Sequence, residues 1–440
     1  MEIGNYRVIK QIQNLIFIIY ILLIFEGALR KWILPGLSAP LFFVKDPFVI
    51  YVYILCWQYK MFPKNSIAKL SLYLSFFYFV FGFLQTLVNI IPFFVILYGW
   101  RSYFMYMPLA FIIAEYTDIK FAKKIAAFTC YIAIPMAILT YIQYKSPTDA
   151  FINKNVGGNN TQIFTISRGI VRPSGTFPFF TGQTIFIVTV LIMLLFNYFM
   201  DKRKFLPEYV SYIAGVAFVS NLAVSGSRSA YGSCLIVFIF LISSSLILIN
   251  KRKSASILLF SIIAVVIAVG LFNAFFSEQI ALLMERQSYA TEQEGAISGR
   301  VAGIFTISTS NDIPYLGYGI GTGSVGGSYI STGSNNFALA ESEWARIQLE
   351  NGYFFGFLYI FFRILLAVYI LKESLQATIR RNNPIPFIIC SFTFPFVLVG
   401  QLTMNGTTTG YGCIFIGFTM AINKLFMNDE LDEKVLITAT

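Results

Sequence analysis

The 440-residue chain is 57% hydrophobic and only 12% charged, about half the charged share of roughly 25% usual in soluble domains. Its 32 Lys and Arg outweigh 21 Asp and Glu by +11, which in so apolar a chain points to loops resting on anionic lipid headgroups rather than to a nucleic-acid partner. The absence of histidine excludes a Ser-His-Asp triad, a Cys-His pair and a His-rich zinc site; seven unpaired aspartates and the lack of a Lys-Ser or Lys-Thr phosphate loop argue against magnesium and ATP, so no metal or cofactor is expected.

Apolar runs long enough to cross a bilayer recur near residues 13–29, 47–59, 68–89, 93–115, 123–143, 179–199, 207–225, 229–249, 254–275, 344–371, 385–404 and 408–426. They predict an all-α integral membrane protein of about twelve transmembrane helices, a single polytopic domain over 1–440 without internal repeats. Leu15 to Phe25 follows only Arg7 and Lys10 and leads into Glu26, Gly27, Ala28, Leu29, Arg30 and Lys31, with no small-residue cleavage site. It therefore reads as a retained first helix rather than a signal peptide. All five cysteines lie in apolar runs and read as small core residues.

Every second gap is lysine-rich: Lys60, Lys64 and Lys69; Lys120, Lys123 and Lys124; Lys202, Arg203 and Lys204; Lys251, Arg252 and Lys253; Lys372, Arg380 and Arg381. By the positive-inside rule these gaps and both termini are cytoplasmic, including an acidic solvated tail over 428–440. Two long polar connections, 145–178 and 277–342, then lie outside, between the fifth and sixth and the ninth and tenth helices. The outer gaps and the spans hold Arg30, Arg101, Arg168, Arg172, Arg228, Arg286, Arg300, Arg346 and Arg363. Topology does not account for outer arginines. The guanidinium fork binds phosphate oxygens in pairs and keeps its charge, so a phosphate-bearing substrate at the outer face is the leading reading.

Four segments carry candidate chemistry. Arg168-Gly-Ile-Val-Arg172-Pro-Ser-Gly-Thr-Phe177-Pro leads into the sixth span, with Pro173 and Gly175 setting a turn beside the second arginine; interfacial headgroup contact is the alternative, and the turn-locked arginines favour the functional reading over it. Val224-Ser-Gly-Ser-Arg228-Ser-Ala-Tyr-Gly232 is a tight turn whose small residues would admit an anion; a close helix crossing explains the small residues but not the arginine. In the third segment, Ala340-Glu341-Ser-Glu343-Trp-Ala-Arg346-Ile-Gln-Leu-Glu350-Asn-Gly352, a helix opens with Glu343, Arg346 and Glu350 on one face, although capping alone accounts for one glutamate. The glycines of 317–327 read as a flexible lid or, more simply, disorder. Arg101, about eight residues inside the fourth span, is a functional candidate with Glu26 as a partner. Arg363, toward the inner end of the tenth, reads as a snorkelling side chain.

The twelve-span layout with its large ninth-to-tenth loop resembles the O-antigen ligase and polymerase superfamily. The resemblance is sharp at Arg172-Pro-Ser-Gly-Thr-Phe, Gly226-Ser-Arg228-Ser and Glu350-Asn-Gly-Tyr-Phe-Phe-Gly356. It implies a glycosyltransferase of the bacterial cytoplasmic membrane, taking a glycan from a polyprenyl diphosphate on the outer leaflet to a hydroxyl of a glycan, lipid or protein acceptor. A glycan flippase and a chain-length regulator are the implied protein partners. By resemblance Arg172 and Arg228 hold the diphosphate, and Arg168, Arg346 and Arg101 join them as candidates. Ligases of the family carry a catalytic histidine near the start of span ten; this chain has Glu341 and Glu343 there, which favours a polymerase or sister activity. An ionised glutamate can take the acceptor proton, and Glu341 and Glu343 are the catalytic candidates: the family's pattern favours Glu341 as the base with Glu343 holding Arg346, or the two roles are reversed. The rival reading is a twelve-span secondary transporter of an anionic sugar or lipid-linked glycan; such carriers usually show related halves and a midplane site.

Overall fold

A computed structural model describes the chain except residues 1–2, 90, 160–162, 201–202, 295–298, 300–302, 306–312, 333–339, 341 and 429–440. Glu341 and the 429–440 part of the tail thus lie outside the described residues. Within them the chain is helical, and one isolated antiparallel bridge, Thr165 to Val171, is the only β pairing. The helices are α1 (Ile3–Ala28), α2 (Asp46–Gln58), α3 (Ser66–Asn89), α4 (Phe93–Trp100), α5 (Met107–Tyr116), α6 (Ile119–Lys145), α7 (Phe180–Phe199), α8 (Glu208–Val224) and α9 (Arg228–Ile247). They continue with α10 (Lys251–Phe275), α11 (Ser277–Glu294), α12 (Val325–Thr332), α13 (Glu343–Arg381), α14 (Ile385–Val399) and α15 (Gly406–Met427).

Nine stretches among the described residues are long and apolar enough to cross a membrane. Large apolar side chains face outward from them, including Tyr73, Phe76 and Leu87 on α3, Tyr212 and Val216 on α8 and Val266 on α10. So much exposed apolar surface suits hydrocarbon, not water. The chain is a multi-pass helical membrane protein. Its centre is α15, almost wholly buried against α5, α13 and α14. All five cysteines are buried and free, as small core residues. At the expected cytoplasmic end, Lys10 on α1 reaches Asp118 at 3.1 Å, and Asp118 caps α6. Burial pushes the Asp118 carboxyl up, but the Phe121 N–H, Gln13 and Lys10 outweigh it and hold the group below its ordinary value.

Three of the twelve expected spans are not among these nine stretches. Two are the shorter apolar helices α8, of 17 residues, and α14, of 15. At about 1.5 Å per residue they reach roughly 22–26 Å, less than a hydrocarbon core of about 30 Å. The expected run 93–115 is divided into α4, a π-turn over Arg101–Met105, and α5. Pro108 is one cause, since it has no N–H for the carbonyl of Phe104.

The tenth span is bent rather than straight. Gly352 sits at φ 74°, ψ 176° inside α13, and a Cβ there would lie 2.2 Å from the Tyr315 carbonyl oxygen. A Cβ on Gly356 would meet the Cα of Gln348 at 2.7 Å, although eight residues of straight helix span about 12 Å. The segment before Gly352 therefore folds back along the segment after it. We expect Gly352→Ala to be destabilised by several kcal/mol through positive φ and this clash; a thermal melt in detergent that matches the parent would refute the bend.

The region 277–342 is not simply a polar loop. Its described part includes α11, α12 and a packed glycine-rich stretch. There Gly321 lies against Gly99 of α4, where a Cβ on Gly321 would come within 2.4 Å of the Gly99 Cα. Gln85 of α3 accepts from the Ile320 N–H and donates to the carbonyls of Leu316 and Glu350. The expected lid or disorder is thus replaced by backbone wedged between α3, α4 and the bend of α13, because glycine alone permits such close approach.

Candidate functional site

The arginine pair is assembled by two local devices. Residues 165–171 form a small hairpin, with Arg168 at φ 50° and Gly169 at φ 72° in its turn. The Arg172 N–H donates to the Phe164 carbonyl at 2.8 Å and sets Arg172 at the hairpin's base. Across from it, Gly226 (φ 55°) has no Cβ to collide with Ile166, so the turn before α9 sits directly on the hairpin. Ser227 then caps α9, and Arg228 is that helix's first residue.

Arg172 Nη2 donates to Ser227 Oγ at 3.0 Å, and its guanidinium carbon lies 3.5 Å from the centroid of the Phe180 ring. Stacking on an aromatic face orients a guanidinium. Ser227 also meets Thr184 at 3.1 Å and Ser229 at 3.0 Å. Arg228 is half-buried and reaches Gln287 of α11 at 3.3 Å. Beside Arg172 opens a cleft lined by Asn153, Asn155, Ser174, Phe164, Phe179 and Phe180 among others. Arg172, the neighbouring N-terminus of α9 and aromatic walls suit a phosphorylated group joined to an apolar chain, while Arg228 is turned toward α11. Arg168 is elsewhere: it is exposed and pairs with Glu285 of α11 at 2.8 Å, bridging the 145–178 and 277–342 regions.

A second group is wholly buried at the start of α13. Glu343 Oε2 accepts from Arg346 at 2.6 Å. Its Oε1 accepts from Arg363 at 3.0 Å and from the Thr403 N–H and hydroxyl at 2.9 and 3.0 Å. Arg346 also pairs with Glu350 at 3.0 Å and donates to the Thr403 hydroxyl. Glu350 in turn accepts from the Tyr103 hydroxyl at 2.6 Å and the Gly323 N–H at 2.9 Å. The expected Glu343–Arg346 pairing is present. Arg363 does not snorkel: it is fully buried and donates to the carbonyls of Val397, Phe396 and Gly400, occupying the C-terminal end of the short α14. Because α13 doubles back, Glu343 meets an arginine twenty residues onward.

Arg101 belongs to a third group and does not pair with Glu26. It makes a two-pronged contact with Asp46 at 2.6 and 2.8 Å, and Tyr106 donates to the same carboxylate at 2.6 Å. Glu26 is engaged by Arg30 at 2.7 Å and by Lys45. Phe42 packs among the three cations Arg30, Lys45 and Arg101. The sequence reading passed over Asp46 and Lys45, which stand together at the opening of α2; that adjacency of opposite charges in an apolar stretch was the available signal. It also passed over Gln85 and Tyr103, whose only signal was polarity inside a span.

No family model, curated protein or solved structure matches the chain.

Proposed function

We propose that this protein is a metal-independent, inverting membrane glycosyltransferase of the O-antigen ligase and polymerase type, acting on a polyprenyl-diphosphate-linked glycan in assembly of a surface polysaccharide at the outer face of the bacterial cytoplasmic membrane. The observation that supports it most is Arg172, stacked on Phe180 and bonded to the serine that caps α9, with Arg228 as the next residue. In this reading the two arginines take the diphosphate, and the aromatic cleft takes the adjoining lipid or sugar. The acceptor hydroxyl, on a glycan, lipid or protein, attacks the anomeric carbon from the side opposite the diphosphate. The carbon–oxygen bond to the diphosphate breaks, the lipid diphosphate leaves with the electron pair, and the hydroxyl proton passes to a carboxylate. Glu341 is our candidate base. Both oxygens of Glu343 are occupied by arginines and Thr403, so its proposed part is to position Arg346 and the start of α13. A flippase would supply the lipid-linked glycan, and a chain-length regulator would act on the product.

The test is turnover of a lipid-diphosphate glycan by the purified protein in proteoliposomes. Glu341→Gln should abolish product while lipid-substrate binding persists; normal turnover in that variant removes Glu341 as the base. Topology is tested separately. Single cysteines in the Lys202 and Lys251 loops should resist an impermeant reagent in intact cells, whereas cysteines in 277–342 should react. Labelling of the Lys202 loop would overturn the outer-face reading. The break in α13 favours one second reading, a secondary transporter, since discontinuous helices are common at transport sites. That reading predicts movement of the lipid-linked glycan across the proteoliposome without cleavage.

A further inference from the structure

Lys31 lies in a π-turn, Leu29–Ile33, at the end of α1, and is 1% exposed. Its ammonium donates to Ser174 Oγ at 2.6 Å and more weakly to the Gly175 carbonyl at 3.4 Å, and it sits 5.5 Å from the Trp32 ring. Among the described residues no carboxylate forms an ion pair with it, whereas its neighbour Arg30 and nearby Lys45 share Glu26. The arrangement is held tightly. Gly27 lies on the backbone of Thr176 to Pro178, where a Cβ would come within 2.2 Å of the Phe177 carbonyl carbon. Thr176 donates to the Ile24 carbonyl at 2.6 Å, and the Gly175 N–H donates to Gln143 at 2.8 Å. The turn over 174–175 is therefore pinned between α1 and α6, with Lys31 against it and Ser174 on the wall of the cleft beside Arg172.

A strut for this turn needs donors but no charge. A buried ammonium whose acceptors among the described residues are neutral is costly, and an anion beyond Ser174 would relieve that cost. The charge balance of the proposed reaction says when such an anion arises. A diphosphate joined to lipid at one end and sugar at the other carries two negative charges, which the proposed function assigns to Arg172 and Arg228. When the sugar bond breaks, the leaving lipid diphosphate gains a third. We infer that Lys31 is a positioning residue for the leaving group, answering through Ser174 the charge that the diphosphate gains as the glycan departs. This rests on the glycosyltransferase reading, and it places a third cation on α1, outside the two arginine segments. An interaction stronger with the departing group than with the substrate accelerates the chemical step.

The experiment compares binding of farnesyl diphosphate and farnesyl monophosphate to the whole protein in lipid nanodiscs. The parent should prefer the diphosphate. Lys31→Gln keeps two donors for the turn but loses the charge; it should weaken farnesyl diphosphate about tenfold, the usual scale of one charge-assisted hydrogen bond, and leave the monophosphate nearly unchanged. Ser174→Ala removes the relay without touching α1 and should narrow the same preference, while Lys31→Arg should restore much of it. In turnover, Lys31→Gln should lower kcat with little change in KM. Equal weakening of both ligands would make Lys31 only a strut and overturn the inference. A parental preference in both Lys31→Gln and Ser174→Ala would also overturn it. If Arg172→Lys and Arg228→Lys weaken binding in those same experiments, the underlying reading survives; if they too bind normally, that reading fails with it.

Discussion

Arg172→Lys should lose about a hundredfold or more in turnover, the scale expected when one donor to a developing negative charge is removed, while the protein inserts and accumulates as the parent does. Lysine keeps the positive charge, so a merely electrostatic attachment to headgroups would survive. It cannot keep the geometry. The flat guanidinium lies 3.5 Å from the Phe180 ring centroid and reaches Ser227 with one nitrogen, an orientation an ammonium on a flexible stem does not reproduce. Arg228→Lys should fall in the same direction, because it shares the turn at the start of α9. The measurement is single-turnover glycan transfer in proteoliposomes, normalised to folded protein by gel filtration. Parental rates in both lysine variants would reduce the pair to interfacial arginines.

Glu343→Gln is expected to destabilise the protein by about 3–5 kcal/mol, the usual consequence of stripping one partner from a buried charge group. Glu343 and Glu350 balance Arg346 and Arg363, all four buried at 2% exposure or less. Removing the Glu343 charge leaves Arg363 with carbonyls as its partners among the described residues, while Arg346 still has Glu350. Adding Arg363→Met should therefore recover part of the loss, since the remaining pair is again neutral. Thermal unfolding in detergent of the parent, both single variants and the double variant gives the coupling directly. Additive losses would show that Glu343 and Arg363 do not act as a pair.

The helix positions were legible because hydropathy records which segments avoid water, and all twelve expected apolar runs coincide with helical segments. Hydropathy does not record where backbone bends. Nothing in Asn351-Gly352-Tyr353 tells a tolerated helix glycine from one held at φ 74° against the Tyr315 carbonyl, and that difference turns a straight span into a folded one. The bend also explains why Arg363 was misread: on a straight helix it lies about 30 Å from Glu343, and folded back it touches it. Local devices were easier to read. The small residues of 224–232, read as room for an anion or a helix crossing, bring a turn onto the arginine hairpin. The partner expected for Arg101 was wrong, because Glu26 and Asp46 both stand in apolar stretches and only packing assigns Lys45 to one and Arg101 to the other.

The contacts of the glycine-rich wedge bear on how a ribosome can make this protein. Gln85 and Tyr103 are inserted early, yet the Glu350 groups that satisfy them lie 265 and 247 residues later in the chain. At roughly 5–20 residues per second, those partners emerge some ten to fifty seconds afterward. Through that interval the early helices must hold polar groups within lipid, and only the arrival of the glycine backbone and the bent helix closes the bundle. Biogenesis of this chain should accordingly depend on an insertase that shelters unfinished helices until translation is nearly complete.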